Sequence, residues 1–136
     1  MTSQKWGRVR DCMKPGVTEV DGKLDVLSAM KVMKEVGATS LIVKRRDEND
    51  EYGMLLFSDI AKKVIGPDRA PERVNVYEIM AKPVVTVKPD MHIRYCARLF
   101  ENFGIGHAPV EEDGKIIGIV SYYRLVLYGL KDLIDD

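Results

Sequence analysis

Histidine and cysteine, the residue types that most often hold zinc in structural sites, are few in this sequence. The chain contains two histidines, His92 and His107, and two cysteines, Cys12 and Cys96. Structural zinc sites usually place two cysteines or two histidines about two to five residues apart, and no such spacing occurs here. No metal site is predicted. Cys96 falls on an apolar helical face, where a reduced, buried thiol is expected.

Sequence motifs of enzymes are missing as well. The chain has no Gly-x-Ser-x-Gly turn for a serine nucleophile and no Gly-x-x-x-x-Gly-Lys loop for a nucleotide phosphate. Closely paired carboxylates in a sequence pattern typical of acid–base catalysis are not present either. We therefore predict no catalytic residues, and any reaction that this protein influences would belong to a partner.

One strongly charged segment, Lys44-Arg45-Arg46, resembles a basic binding patch when it is read alone. The residues that follow it, Asp47-Glu48-Asn49-Asp50-Glu51, are mostly acidic. Opposite charges so close together largely neutralise one another, so a solvated loop is the favoured interpretation.

The composition is that of a soluble globular protein with one domain by length. Hydrophobic residues make up 46% of the 136 positions and charged residues 31%, while Lys plus Arg and Asp plus Glu are both 21. This balance does not favour binding to nucleic acid or to an anionic membrane. No run approaches the ~20 apolar residues that span a bilayer, and no apolar signal segment is visible at the N-terminus. A cytoplasmic location is therefore expected.

Long-range self-similarity organises the chain: the segment from Val9 to about Ile60 is repeated from Val76 to about Leu125. Matched residues lie 67 positions apart (76 − 9 = 67) up to a hairpin and 65 apart after it (118 − 53 = 65), because that loop is two residues longer in the first copy. Solenoids usually need about three or more repeats, so we expect two half-domains that bury each other's apolar faces. The matched pairs include Val9/Val76, Met13/Met80, Val17/Val84, Gly37/Gly104, Val43/Val110 and Gly53/Gly118.

Hydrophobic spacing predicts the element order β-α-β-β-α in each copy. Asp25 is suited to begin the central helix of the first copy, and Gly37 and Gly104 to end the two central helices. A single longer helix, from Tyr122 to about Ile134, is expected to end the chain. The predicted organisation is an N-terminal arm (1–8), a first repeat (9–65), a linker (66–75) and a second repeat with the C-terminal helix (76–136).

Short motifs in both copies resemble those of a known family. The second copy has Val85-Thr86-Val87-Lys88-Pro89-Asp90, His107-Ala108-Pro109-Val110 and Gly118-Ile119-Val120-Ser121, and the first has Gly53-Met54-Leu55-Leu56-Phe57-Ser58-Asp59. Each copy resembles a CBS domain, the cystathionine β-synthase module, which normally occurs as a tandem pair. The resemblance implies an α/β fold of two β-α-β-β-α repeats related by pseudo-two-fold symmetry, and a regulatory module rather than an enzyme.

The resemblance also implies a ligand, since CBS pairs commonly bind AMP, ADP, ATP or S-adenosylmethionine in clefts between their repeats. The family signature is Gly-h-x-Thr/Ser-x-x-Asp (h, hydrophobic), in which the hydroxyl receives phosphate and the carboxylate accepts from ribose. The first copy has Asp59 but places Leu56 at the hydroxyl position, whereas the second has Ser121 but places Arg124 at the carboxylate position. Because hydrogen bonds to a carboxylate are worth about 1.5–3 kcal/mol, adenosine binding is expected mainly at Asp59, while Arg124 could attract a different anion.

Further site residues follow only from the resemblance. The backbone near Val17 is expected to flank the base, and His107 and Pro109 to face the nucleotide cleft. For His107, a surface position at the start of a strand is the alternative.

Two functions are compatible with these observations. The first is a sensor that binds an adenosine nucleotide and signals to an unidentified regulated protein, with no cofactor required. The second is a degenerate pair that serves dimerisation or scaffolding without binding nucleotide. A homodimer is expected, because one small domain is unable to cover the apolar stripe of the last helix. That stripe comprises Tyr123, Leu127, Leu130 and Ile134.

Overall fold

The computed structural model describes residues 6–82 and 84–134, and the chain divides into two compact units. The central unit is Thr18–Val84, and the terminal unit combines the described residues up to Val17 with those from Val85 onward. Each unit has its own three-stranded sheet and its own hydrophobic core. The prediction of a mixed α/β fold with small sheets and helices is confirmed.

The central unit is built around a sheet in the order β2-β3-β4, with β3 parallel to β2 and antiparallel to β4. A helix, α2, packs against it. The last strand continues directly into a short helix, α3, and one turn of π-helix. The elements are β2 (Glu19–Val20), α2 (Val26–Val36), β3 (Ser40–Val43), β4 (Gly53–Leu56), α3 (Phe57–Ile60), the π-helical turn (Ala61–Ile65), a 3-10 turn (Pro71–Arg73) and α4 (Val76–Ile79).

The terminal unit has a sheet in the order β1-β6-β5, in which β6 is antiparallel to both neighbours. Its last strand also runs directly into a helix, α6. The elements are α1 (Val9–Cys12), β1 (Lys14–Pro15), α5 (Ile93–Phe103), β5 (His107–Glu112), β6 (Lys115–Ser121), α6 (Tyr122–Gly129) and α7 (Lys131–Ile134).

Strand pairing is equivalent in the two units even where one of them retains a single bridge. The parallel bridge Val87↔Val110 in the terminal unit repeats the pairing of Val20 with Val43 between β2 and β3. The antiparallel bridge Met54↔Ala81 in the central unit likewise repeats the β1–β6 pairing. The repeat read from the sequence is therefore a repeat of backbone pairing.

The short first helix of each repeat lies in the unit that contains the other repeat. In the terminal unit, the Val9 N–H donates to Met91 O at 2.9 Å, and in the central unit, the Val76 N–H donates to Leu24 O at 2.8 Å. Both valines are fully buried. The compact units thus begin and end at other residues than the sequence repeats do. The repeat boundaries 1–8, 9–65, 66–75 and 76–136 remain a prediction. Residues 1–5 of the arm lie outside the described residues.

The two cores are almost entirely aliphatic. Burial raises the pKa of Cys96 to about 11 and also raises that of Cys12, as expected for reduced thiols in an apolar environment. The buried side chains of the central unit include Val26, Met33, Leu41, Leu55, Val64 and Ile79, and those of the terminal unit include Val9, Cys12, Cys96, Phe100, Val110 and Val120.

Helix ends follow the sequence closely, with one exception. The Asp25 carboxylate accepts the Ser28 N–H at 2.9 Å, and Gly37 and Gly104 end α2 and α5 with left-handed φ angles of 69° and 64°. The predicted single helix from Tyr122 to Ile134 is wrong: α6 ends at Gly129, and α7 begins after Leu130. Gly129 lies so close to Ile93 of α5 that a β-carbon would come within 2.5 Å of its Cδ1 atom.

No helix among the described residues is both long enough and apolar enough to span a bilayer.

Candidate functional site

Asp59 lies in the first turn of α3, directly after β4. One carboxylate oxygen accepts the Leu56 N–H at 2.9 Å, and the other lies 3.8 Å from Lys63 Nζ. The side chain is 15% exposed. A carboxylate has about four acceptor positions, so this anchored group retains capacity to accept hydrogen bonds from a ligand hydroxyl.

Lys63 also contacts α4, the short first helix of the second repeat, because its Nζ donates to Ile79 O at 3.0 Å. Ile79 is the last residue of α4, where carbonyl groups have no partner within the helix. Lys63 therefore both approaches Asp59 and holds the C-terminus of α4, and sequence reasoning missed this residue. Its spacing of four from Asp59 on a helix was the available signal.

Arg124 holds the corresponding helix end in the terminal unit. Its Nε donates to Cys12 O at 2.7 Å and one terminal nitrogen donates to Met13 O at 3.3 Å, while its guanidinium lies 4.2 Å from the Tyr128 ring centroid. Cys12 is the position equivalent to Ile79, 67 residues earlier. Attraction of phosphate by Arg124 remains a prediction, because the observed partners are backbone carbonyls.

These contacts give a physical reason for the split signature. At the 65-residue spacing, Arg124 matches Asp59 and Tyr128 matches Lys63. In the central unit the basic residue is Lys63, so the position four residues earlier is left to the carboxylate of Asp59. In the terminal unit Tyr128 occupies the position of Lys63, and the basic residue, Arg124, occupies the position of the carboxylate.

Ser121 is the last residue of β6 and caps the N-terminus of α6, where its hydroxyl oxygen accepts the Arg124 N–H at 3.2 Å. It pairs with His107 across β5 and β6, and Pro109 pairs with Ile119 two residues further along. The structure therefore brings Ser121, His107, Pro109 and Arg124 to neighbouring positions in the terminal unit.

His107 is partly buried, and desolvation lowers its pKa from the ordinary value. Burial therefore favours the uncharged imidazole over the imidazolium. Such a ring donates and accepts hydrogen bonds but supplies no positive charge to a phosphate.

Val17 belongs to the terminal unit and Asp59 to the central unit, and both assignments to a nucleotide site remain predictions.

The structure is a tandem-repeat module of two similar α/β units. In each unit, the short first helix comes from the other repeat. The chain belongs to the CBS domain family. The model of the CBS domain matches residues 76–131. The hexameric CBS-CP12 protein from bloom-forming cyanobacteria is 36% identical, with a TM-score of 0.87 over 94% of this chain and 73% of that chain.

Two further similarities are to proteins described with an enzymatic activity or with bound ligands. Homoserine O-acetyltransferase of Methanosalsum zhilinae is 34% identical over 113 residues, which cover 82% of this chain and 22% of that protein. The CBS domain pair of protein MJ0100, solved with 5′-methylthioadenosine and S-adenosyl-L-methionine, is 22% identical with a TM-score of 0.76, covering 93% of this chain and 99% of that one. The latter likeness shows the fold alone.

The chain spans 45% and 22% of the length of two curated relatives that it matches. The acetyltransferase name therefore describes a protein of which this chain resembles about a fifth. CBS-domain pair proteins are generally regulatory.

Proposed function

We propose that this chain is a regulatory CBS pair that binds an adenosine nucleotide where Asp59 follows β4, and that binding is transmitted to a partner protein. The observation that carries the proposal is the anchored Asp59 carboxylate. It is fixed by the Leu56 N–H and is only 15% exposed, so little side-chain freedom would be lost when it accepts ribose hydroxyls.

The proposed ligands are AMP, ADP, ATP and S-adenosylmethionine. The adenosine derivatives bound by the MJ0100 pair support this chemical class, since that protein shares the fold. In the terminal unit, Arg124 stands at the position of the carboxylate and holds α1. We therefore assign the stronger binding to Asp59 and a minor role to Ser121, His107, Pro109 and Arg124.

Calorimetric titration of the full chain with each of these compounds tests the proposal. We expect one of them to bind with measurable heat and one stronger site per chain. Absence of binding by the whole panel would contradict the sensor function and favour a module that serves only assembly.

Assembly is the second candidate function, and specific apolar grooves favour it. A groove of about 610 Å³ runs between α2 and the α3 region, where Met30, Phe57 and Ile65 are exposed. The terminal unit has a second groove, of about 370 Å³, which Trp6 and Val126 help to line. Exposed apolar patches of this kind usually mark interfaces. We propose a homodimer formed through these helices; the CBS-CP12 relative is itself a hexamer.

Val126→Asp is expected to weaken this assembly, because it places a charge in the terminal groove, where Val126 is 52% exposed. Thr39→Asp, at an exposed residue outside both groove linings, is the matched control. Sedimentation at micromolar concentration should show dimers for the unchanged chain and the control, and monomers for Val126→Asp. A monomeric unchanged chain would contradict the dimer.

A further inference from the structure

The central unit has a basic cavity at the end of its sheet away from Asp59. Ser40 pairs with Leu56 at the Asp59 end, whereas Val43 pairs with Gly53 at the cavity end. The cavity volume is about 680 Å³, within the ~300–1,000 Å³ typical of small-molecule sites. Its lining contains five Lys or Arg residues and one acidic residue: Asp21, Gly22, Lys23, Val43, Lys44, Arg45, Arg46, Tyr77, Met80 and Lys82.

In the β3–β4 hairpin, the basic residues line the cavity and the acidic residues lie outside its lining. Asp47, Glu48 and Glu51 are exposed and do not line the cavity. Asp50 accepts the Arg46 N–H at 2.8 Å and its Nε at 3.2 Å, and forms an ion pair with Lys82. Lys82 is the main reason that the pKa of Asp50 lies far below the ordinary value. Asp50 thus contacts two basic side chains that line the cavity, Arg46 and Lys82, while residues 44–49 of the loop are exposed as expected.

The terminal unit provides an internal comparison, because its equivalent residues are acidic. At the 67-residue spacing, Lys23, Lys44 and Arg45 match Asp90, Glu111 and Glu112. These acids are balanced within their own unit by the ion pairs Arg10–Asp90 at 3.4 Å, Arg10–Glu112 at 2.8 Å and Lys88–Glu111 at 3.1 Å. The fold therefore does not require basic residues at these positions.

Tyr77 adds an aromatic surface to the cavity. It stands where the terminal unit has Arg10, and it is 54% exposed. Its N–H donates to Gly22 O at 2.9 Å, and a β-carbon on Gly22 would lie 3.3 Å from the Tyr77 Cβ atom. The close approach of these two segments holds Tyr77 at the cavity, where its ring is available to contact a planar group.

We propose that this cavity is a second ligand site, which binds an organic molecule carrying two or more phosphate groups. Lys23, Lys44 and Arg45 supply positive charge for the phosphates, and Arg46 and Lys82 add to it while Asp50 positions them. Tyr77 contacts the organic part. Concentrated positive charge in a concave site attracts multivalent anions, whereas the overall charge of the chain is zero.

The first experiment titrates inorganic triphosphate into the full chain and into Lys44→Glu/Arg45→Glu, which introduces the residues of the terminal unit. We expect affinity to fall at least about tenfold, since each 1.4 kcal/mol is a factor of ten. The matched control is Lys115→Glu/Lys131→Glu, which changes the net charge equally at exposed residues outside the cavity. Its affinity should stay within about twofold because distant exposed charges are screened by salt.

An equal loss in the control, or none in Lys44→Glu/Arg45→Glu, would overturn the proposal in favour of diffuse attraction. Lys44→Gln/Arg45→Gln removes charge without adding any and should give an intermediate loss, which keeps the test decisive if charge reversal affects folding.

The organic part is tested with ATP in the Asp59→Ala background. Tyr77→Ala added to that variant should weaken ATP binding severalfold and leave triphosphate binding unchanged. Equal ATP affinity with and without Tyr77 would overturn the role of the tyrosine ring.

Discussion

Gly118→Ala is expected to cause a larger loss of stability than the same change at Gly53, the equivalent glycine. A β-carbon on Gly118 would lie 2.6 Å from Lys14 O and 2.9 Å from Met13 Sδ. The carbonyl belongs to β1, which pairs with β6 at this point, so the backbone itself must move. Forcing extra volume into a packed region costs about 1–3 kcal/mol.

Gly53→Ala is a matched control because the closest atom there is a flexible one. Its β-carbon would come within 2.5 Å of Met80 Sδ, whereas the nearest backbone atom, Ala81 O, is 3.4 Å away. The thioether is able to rotate away, so the cost should be smaller. Denaturant unfolding of both variants measures the difference, and an equal or greater loss at Gly53 would contradict the proposed role of the β1–β6 contact.

Arg124→Asp is expected to be the most destabilising single change at the terminal site. It removes the donors to Cys12 O and Met13 O and places a negative charge beside the same carbonyl oxygens. Loss of a hydrogen bond from a charged donor costs about 1.5–3 kcal/mol. Adding Tyr128→Lys should restore much of the stability, because the pair then matches Asp59 and Lys63 in the central unit.

Thermal unfolding of Arg124→Asp, Tyr128→Lys and the double variant measures the coupling between the two positions. We expect the double variant to be more stable than Arg124→Asp alone, whereas additive losses would contradict the equivalence of Arg124 and Lys63. The double variant also completes Ser121-x-x-Asp, so it should bind additional adenosine nucleotide in calorimetry.

The sequence was sufficient to predict the duplicated architecture, because periodic apolar residues and matched glycines depend on local backbone requirements. Gly37 and Gly104 end their helices in the left-handed conformation as expected, and Asp25 caps the N-terminus of α2. The interruption after Gly129 was missed because the helical spacing of apolar residues continues past it to Leu130 and Ile134.

The candidate sites were less accessible to sequence reasoning. The role of Arg124 depends on carbonyl groups of α1, more than a hundred residues earlier in the chain. The basic cavity was missed because neighbouring charges in the hairpin suggested mutual neutralisation. Only the structure shows that Lys23, Tyr77 and Lys82 line the same cavity as Lys44 and Arg45.

The most direct test of nucleotide sensing is the melting temperature of three chains at saturating AMP, ADP and ATP. Ligand at a hundred times its dissociation constant contributes about 2.7 kcal/mol, which should raise the melting temperature of the unchanged chain by roughly 5–15 °C. Asp59→Ala should lose most of the increase that AMP causes, because AMP lacks the second phosphate that the basic cavity is proposed to bind. Ser121→Ala should keep most of it. The account would be contradicted if none of the three nucleotides raised the melting temperature of the unsubstituted chain. It would also be contradicted if the increase depended on Ser121 rather than on Asp59.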